Sequence, residues 1–229
     1  MDILGVRVDN IAMQEALDKI RDFLADGRQH YIVTVNPEFI VRAQKDEEFR
    51  KILNEADLAI PDGIGLVWAS RWLKQPLKEK VTGVDLVKNL KFKVKSYRIF
   101  LLGGRYGVAE KINSQWPEVV GSTENTSEAI HLMNQCHSDI LLVALGAPKQ
   151  EKWIAENLSK VPSVKLAIGV GGAFDMISGR ILRAPSFLQK IGLEWLWRLI
   201  LQPSRIGRIF NAVIIFPLLV MKSKLKASR

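Results

Sequence analysis

A chain of 229 residues, 48% of them apolar, can bury a full core and need not be more than one domain. One cysteine and three histidines exclude a disulfide framework and leave no zinc cluster of familiar spacing, so Cys136 reads as a reduced, packed thiol. The net charge of +9 is local: residues 180–229 hold ten Lys and Arg against one acid, Glu194, so the basicity belongs to a tail and the rest of the chain is close to neutral.

Met1–Val8 reads as a strand, without the basic start and long apolar run of a signal peptide, which predicts a cytoplasmic body. Ala12–Leu24 follows as an amphipathic helix. Tyr31–Asn36 is a buried-strand pattern, a helix is expected across Glu38–Asn54, and Leu58–Ile60 is a short strand. A helix runs from Gly63 or Ile64 to about Lys74, and another covers Val84–Lys93. Tyr97–Leu102 is a strand ending in Gly103-Gly104-Arg105, and Val108–Trp116 is helical. Asp139–Leu145 is a buried strand, after which Pro148 opens a helix to about Leu158, at a position where its missing N–H costs nothing. Val164–Val170 is the last clear strand and ends in Gly169-Val-Gly-Gly172. Strands alternating with helices predict βαβ units and an α/β fold, its mostly parallel sheet covered by helices on both faces.

From about Pro185 the pattern changes, which divides the chain into a body, 1–185, and a basic amphipathic appendage, 186–229. Phe187–Leu201 mixes Leu, Ile and Trp with Lys190 and Arg198. Pro203 interrupts it, and Ile209–Met221 is apolar except for Asn211. Those thirteen residues are fewer than the roughly 20 that span a bilayer as a helix. A short apolar segment with Trp and flanking cations fits an interfacial anchor on an anionic membrane surface, or a helix pair packed on the body or on a second copy of the chain. Nucleic acid is not an expected partner, because the charge is interleaved with Leu, Ile and Trp.

In an open α/β sheet, ligands bind beyond the carboxyl ends of the strands. Thr34-Val-Asn-Pro-Glu38 and Ala59-Ile-Pro-Asp-Gly-Ile-Gly65 therefore carry Thr34, Asn36 and Asp62 to where a site would be. Asp62 suits a general base, or else an N-cap for the helix after it. Gly171 and Gly172, like Gly103 and Gly104, sit in loops whose N–H groups could meet a phosphate, or which simply turn tightly. Neither loop has the dinucleotide spacing, so no nicotinamide cofactor is expected. Lys149 and Gln150 fall in a first helical turn, where Gln150 can face a ligand. The chain has no Asp-x-Asp pair to hold a divalent ion on a diphosphate. Leaving-group charge would fall on Arg, Lys and backbone N–H groups instead, and the tail offers Arg198, Arg205 and Arg208.

Taken together, several segments closely resemble the WecG/TagA/CpsF family of bacterial glycosyltransferases, in the same order from about residue 2 to 210. They are Thr34-x-Asn-Pro-Glu38, Asn54-Glu-Ala-Asp-Leu58, Pro61-Asp-Gly-Ile-Gly65, Val81-Thr-Gly-Val-Asp-Leu86, Phe100-Leu-Leu-Gly-Gly104, Leu145-Gly-Ala-Pro-Lys-Gln-Glu-Lys-Trp153, Gly169-Val-Gly-Gly-Ala-Phe-Asp175, Arg183-Ala-Pro185 and Gly192-Leu-Glu-Trp-Leu196. The resemblance implies a Rossmann-like fold and an inverting transfer from a UDP-sugar donor to a lipid-diphosphate-linked sugar, with N-acetylmannosamine the best-known sugar moved. It implies Asp62 as general base, Thr34, Asn36 and Gln150 as pocket residues, and Arg198, Arg205 and Arg208 over the diphosphate. It also implies a membrane-targeting tail. With no Asp-x-Asp pair and no dinucleotide spacing in the chain, neither metal nor cofactor is expected. Other members use glucose or an acidic sugar, and a non-catalytic membrane-surface protein would use the tail alone.

Two departures from the family pattern stand out. Lys80 replaces the usual Arg before Val-x-Gly-x-Asp-Leu, keeping the charge but losing the bidentate fork. Between Trp116 and Asp139 the chain is short, with Gly121–Thr126 where relatives carry a strand and loop, so a truncated sheet edge or altered sugar specificity is expected.

Overall fold

A computed structural model describes residues 1–93 and 96–227, apart from the side chains of Phe92, Lys226 and Ala227. The first segment is two short antiparallel strands rather than one, β1 (Asp2–Ile3) and β2 (Val6–Arg7). Leu4 and Gly5 turn between them with φ of 56° and 80°, a left-handed pair that an uninterrupted strand cannot contain.

Six strands form the main sheet: β3 (His30–Val35), β4 (Leu58–Pro61), β5 (Ile99–Gly103), β6 (Val119–Thr123), β7 (Ile140–Ala144) and β8 (Leu166–Gly169). Their spatial order is β4-β3-β8-β7-β5-β6, and every pairing is parallel. Helices cover both faces, so the central strands are apolar throughout, as a sheet without a solvent face requires. Ile32, Ile60, Leu101, Leu142 and Ile168 pack into one buried cluster, and Val33, Val35 and Ala59 into the cluster opposite.

The helix expected across Glu38–Asn54 is two, Pro37–Ala43 and Glu47–Glu55. Asp46 makes the break by accepting the Phe49 N–H at 3.0 Å as the cap of the second. The expected helix over Phe187–Leu201 likewise divides into Ser186–Lys190 and Glu194–Leu201. Gly192, between them, has a φ of 80° and lies so close to Ile64 that a Cβ would stand 2.8 Å from its Cγ1.

The tail helix is longer than the thirteen-residue segment seen in sequence. It runs from Pro203 to Leu225, 23 residues within which an 18-residue window has a mean hydropathy of 1.6, long and apolar enough by length and composition to cross a membrane. It passes Pro217 by widening into a π-helical turn at Asn211–Ile215, which relieves the hydrogen bond that proline cannot donate. Phe216 and Val220 on this helix are fully buried against the cluster that includes Phe39, Leu66 and Ala69.

Candidate active site

A pocket of about 240 Å³ opens at the carboxyl ends of β4, β3, β8 and β7, and the tail closes its far side. It is lined by Thr34, Asn36, Asp62, Lys80, Gln150, Gly171, Gly172, Arg198, Arg205 and Arg208. Residues from six separate segments of the chain therefore meet in one place. Gly103 and Gly104 do not join them, because β5 lies beyond β7 from the pocket. Their lack of side chains serves packing: a Cβ on Gly104 would stand 2.5 Å from Val108 Cγ2, and one on Gly103 2.9 Å from the Ala144 carbonyl.

Asp62 follows β4 directly, and its N–H donates to the Val35 carbonyl at 2.7 Å, tying the strand ends together. It does not cap its own helix. Gly63 is the cap residue of Ile64–Trp72, with no side-chain bond, while Asp62 Oδ2 accepts the Gly83 N–H at 3.2 Å at the start of helix Gly83–Lys93. Burial pushes the carboxyl up to about 6; the Gly83 N–H, Arg198 and Lys80 oppose the rise and Glu194 adds to it. A carboxylate so placed is ionised at neutral pH yet more basic than an exposed aspartate, which suits proton abstraction.

The neutral pocket residues also hold the frame. Thr34 Oγ1 donates to the Gly169 carbonyl at 2.9 Å. Asn36 Oδ1 accepts the Phe39 N–H at 3.1 Å as the cap of Pro37–Ala43. Gln150 clasps two loops, its Oε1 accepting from Gly146 N–H at 3.1 Å and Gly171 N–H at 3.0 Å. Its Nε2 donates to buried Glu151 at 2.7 Å. Gln150 thus fixes the shape of the β7 and β8 loops as well as lining the pocket.

The arginines stand over the β8 loop. Arg198 Nη2 lies 3.5 Å from the Gly172 carbonyl and 3.3 Å from Met176 Sδ, and its buried Nε has no partner among the described residues. Arg205 reaches the same glycine, where a Cβ would meet its Nη2 at 3.2 Å. Among the described residues it has no carboxylate partner. Burial lowers the pKa of both; that of Arg205 falls to about 10, with Arg198 and Arg208 pressing it further. Arg208 differs, donating from Nε to both oxygens of Glu38 at 2.9 and 2.8 Å. Neither recessed guanidinium makes a direct ion pair among the described residues, although Asp62 and Glu194 act on Arg198 and Asp175 and Glu38 on Arg205 from a distance, and the planar forks of both match phosphate oxygens.

Three further acids act here, to which the motifs that contain them assign no role. Glu38 anchors Arg208. Glu194 faces Asp62 and Arg198 and lies 3.5 Å from Arg183 Nε, while Arg183 also grips Asp85. Glu151 supports Gln150 from below. Each resembles an ordinary first-turn acid in sequence, and only the approach of distant segments gives it a task.

A parallel α/β sheet with a recessed carboxylate and an arginine cluster beyond its strand ends has the layout of the ligand site of an open α/β fold. The chain belongs to the glycosyl transferase WecG/TagA/CpsF family, whose profile matches residues 1–229, and it is a glycosyltransferase. It is 32% identical over 246 residues to an N-acetylglucosaminyldiphosphoundecaprenol N-acetyl-beta-D-mannosaminyltransferase of Staphylococcus aureus strain MRSA252, covering all of this chain and 95% of that protein. The protein of the same name from strain NCTC 8325 / PS 47 is 31% identical over 243 residues, with the same coverage.

Proposed function

We propose that this glycosyltransferase moves N-acetylmannosamine from its UDP donor to N-acetylglucosamine on undecaprenyl diphosphate, with inversion and without a metal ion, at a membrane surface. The names of its relatives support the two sugars and the lipid diphosphate, and the pocket suits the chemistry. Asp62 takes the proton of the acceptor hydroxyl as its oxygen attacks the anomeric carbon from the face opposite UDP. The bond from that carbon to the diphosphate oxygen breaks, and the electron pair leaves with UDP. Arg198, Arg205 and the Gly172 N–H take up the charge that develops there, the Gly171 N–H being held by Gln150. Arg208 completes the cluster, with its Nε engaged by Glu38.

The observation that carries this reading is one pocket holding a carboxylate near pKa 6 beside two arginines that make no direct ion pair among the described residues. In this reading the arginines are the groups that take up the leaving-group charge. The test is UDP release with a lipid-diphosphate-linked N-acetylglucosamine acceptor, comparing UDP-N-acetylmannosamine, UDP-glucose and UDP-N-acetylmannosaminuronic acid, with and without chelator. N-acetylmannosamine should be preferred and chelator should leave the rate unchanged. Asp62→Asn should lower it by about a thousandfold or more, and the wild-type rate should fall about tenfold per pH unit below pH 6. Preference for another donor would replace the sugar, strong inhibition by chelator would replace the metal-free mechanism, and an active Asp62→Asn would remove the base.

A further inference from the structure

The pocket is polar where the sheet ends and apolar towards the tail, where Ile64, Trp195, Ile209 and Ala212 line it. Ile64 is also 42% exposed, and on its helix Trp68 and Trp72 follow at 37% and 41%. The spacing of four puts all three on one side of the helix, along a line about 12 Å long leading away from the pocket. The two indoles are stacked, with centroids 6.0 Å apart and planes 16° from parallel. At the far end Lys224 Nζ donates to the Trp72 carbonyl at 2.7 Å and lies 4.7 Å from its ring centroid.

The fold does not need this stripe for its core. Leu66, Ala69 and Ser70 already turn inwards from the same helix. Gly65 lets the helix sit against Pro37 and Phe216, and the tail helix runs alongside from Phe216 to Lys224. Because Ile64 belongs to both the pocket wall and the stripe, the apolar surface is continuous with the anion site. The acceptor reaches Asp62 through its sugar, so the hydrocarbon bonded to the acceptor's own diphosphate has to leave the same pocket over some surface, and an apolar one lowers its cost.

We propose that Ile64, Trp68 and Trp72 form a track for the hydrocarbon nearest the diphosphate of the lipid-linked acceptor. The proposal rests on the acceptor assigned above. Its test uses the full-length chain in detergent, with two acceptors that share sugar and diphosphate but carry a short or a long isoprenoid chain. In Trp68→Ala/Trp72→Ala the ratio of kcat/KM for the long over the short acceptor should fall about tenfold, with the KM for the UDP-sugar unchanged. Trp68→Phe/Trp72→Phe, which keeps an aromatic stripe, should retain most of the wild-type ratio. An unchanged ratio in the alanine variant overturns the track. If that variant instead loses anionic-vesicle binding at an unchanged ratio, the stripe is a bilayer contact. If only its sedimentation changes at an unchanged ratio, the stripe is an interface between copies. Wild-type protein inactive on both acceptors would overturn the acceptor reading and the track together, a result distinct from an unchanged ratio.

Discussion

Glu151 has no exposed surface, accepts one hydrogen bond from Gln150 and leaves Oε2 without a partner among the described residues. Burial pushes its carboxyl from 4.5 up to about 7, against the Gln150 amide and the cations Arg42 and Arg208. The fold thus favours the protonated acid. The stability this gives is complete below the unfolded value near 4.5 and is lost as pH rises through about 7. A shift of that size amounts to about 3 kcal/mol once the group is ionised in both states. Glu151→Gln keeps the shape and an acceptor for Gln150 while removing the ionisation. Its Tm should exceed that of wild type at pH 8, and the two should converge towards pH 4.5. Thermal melts across that range decide the matter; a variant less stable throughout would mean that the clasp of Gln150 on Gly146 and Gly171 needs the carboxylate itself.

The tail helix is held at both ends of its contact with the body. Arg208 joins buried Glu38 across 170 positions of sequence, and Phe216 and Val220 enter the core beside Phe39 and Leu66. Phe216→Ala should therefore cost about 3–5 kcal/mol, make the tail more sensitive to limited proteolysis and lower turnover as Arg205 and Arg208 lose their support. Unchanged proteolysis and turnover would show that Phe216 does not position the tail. Elements like this helix mark what was legible in sequence. The strands β7 and β8 are continuous apolar runs because both faces of the sheet are covered, and β3 is apolar at its centre, so Ile32, Leu142 and Ile168 announce themselves. Edge strand β6 does not: Val120 is 37% exposed and Gly121 and Ser122 follow it, so the segment reads as a loop although it completes the sheet edge. The strand-end positions of Thr34, Asn36 and Asp62 were legible for the same reason as the strands. The duties of Glu38 and Glu151 were not, because their partners come from segments far away in the chain.

On the scale of the whole molecule, the tail helix has two faces with different partners. Arg205, Arg208, Ile209 and Ala212 line the pocket and Phe216 and Val220 enter the core. Ile206, Phe210, Ile214, Leu218, Met221 and Leu225 are exposed, spaced by three or four, and so form one outward stripe. Crossing a bilayer would pull the two arginines from the pocket and strip Phe216 and Val220 of their contacts. Lying in the interface would bury the outward stripe while the pocket stays beside the headgroups, where a lipid diphosphate is presented. On the proposal of a peripheral enzyme, the full-length protein should bind anionic vesicles and be released by alkaline carbonate, which does not extract a spanning helix. Each outward side chain is worth about 1–2 kcal/mol in the interface. Ile214→Glu/Leu218→Glu should therefore weaken vesicle binding by tenfold or more, while kcat on a detergent-soluble acceptor stays within about twofold because neither residue touches the pocket. Added salt should weaken wild-type binding only in part, since Lys222 and Lys224 contribute by charge and the stripe does not. Retention through the carbonate wash would instead make the helix a membrane span and would require the pocket arginines to leave their places.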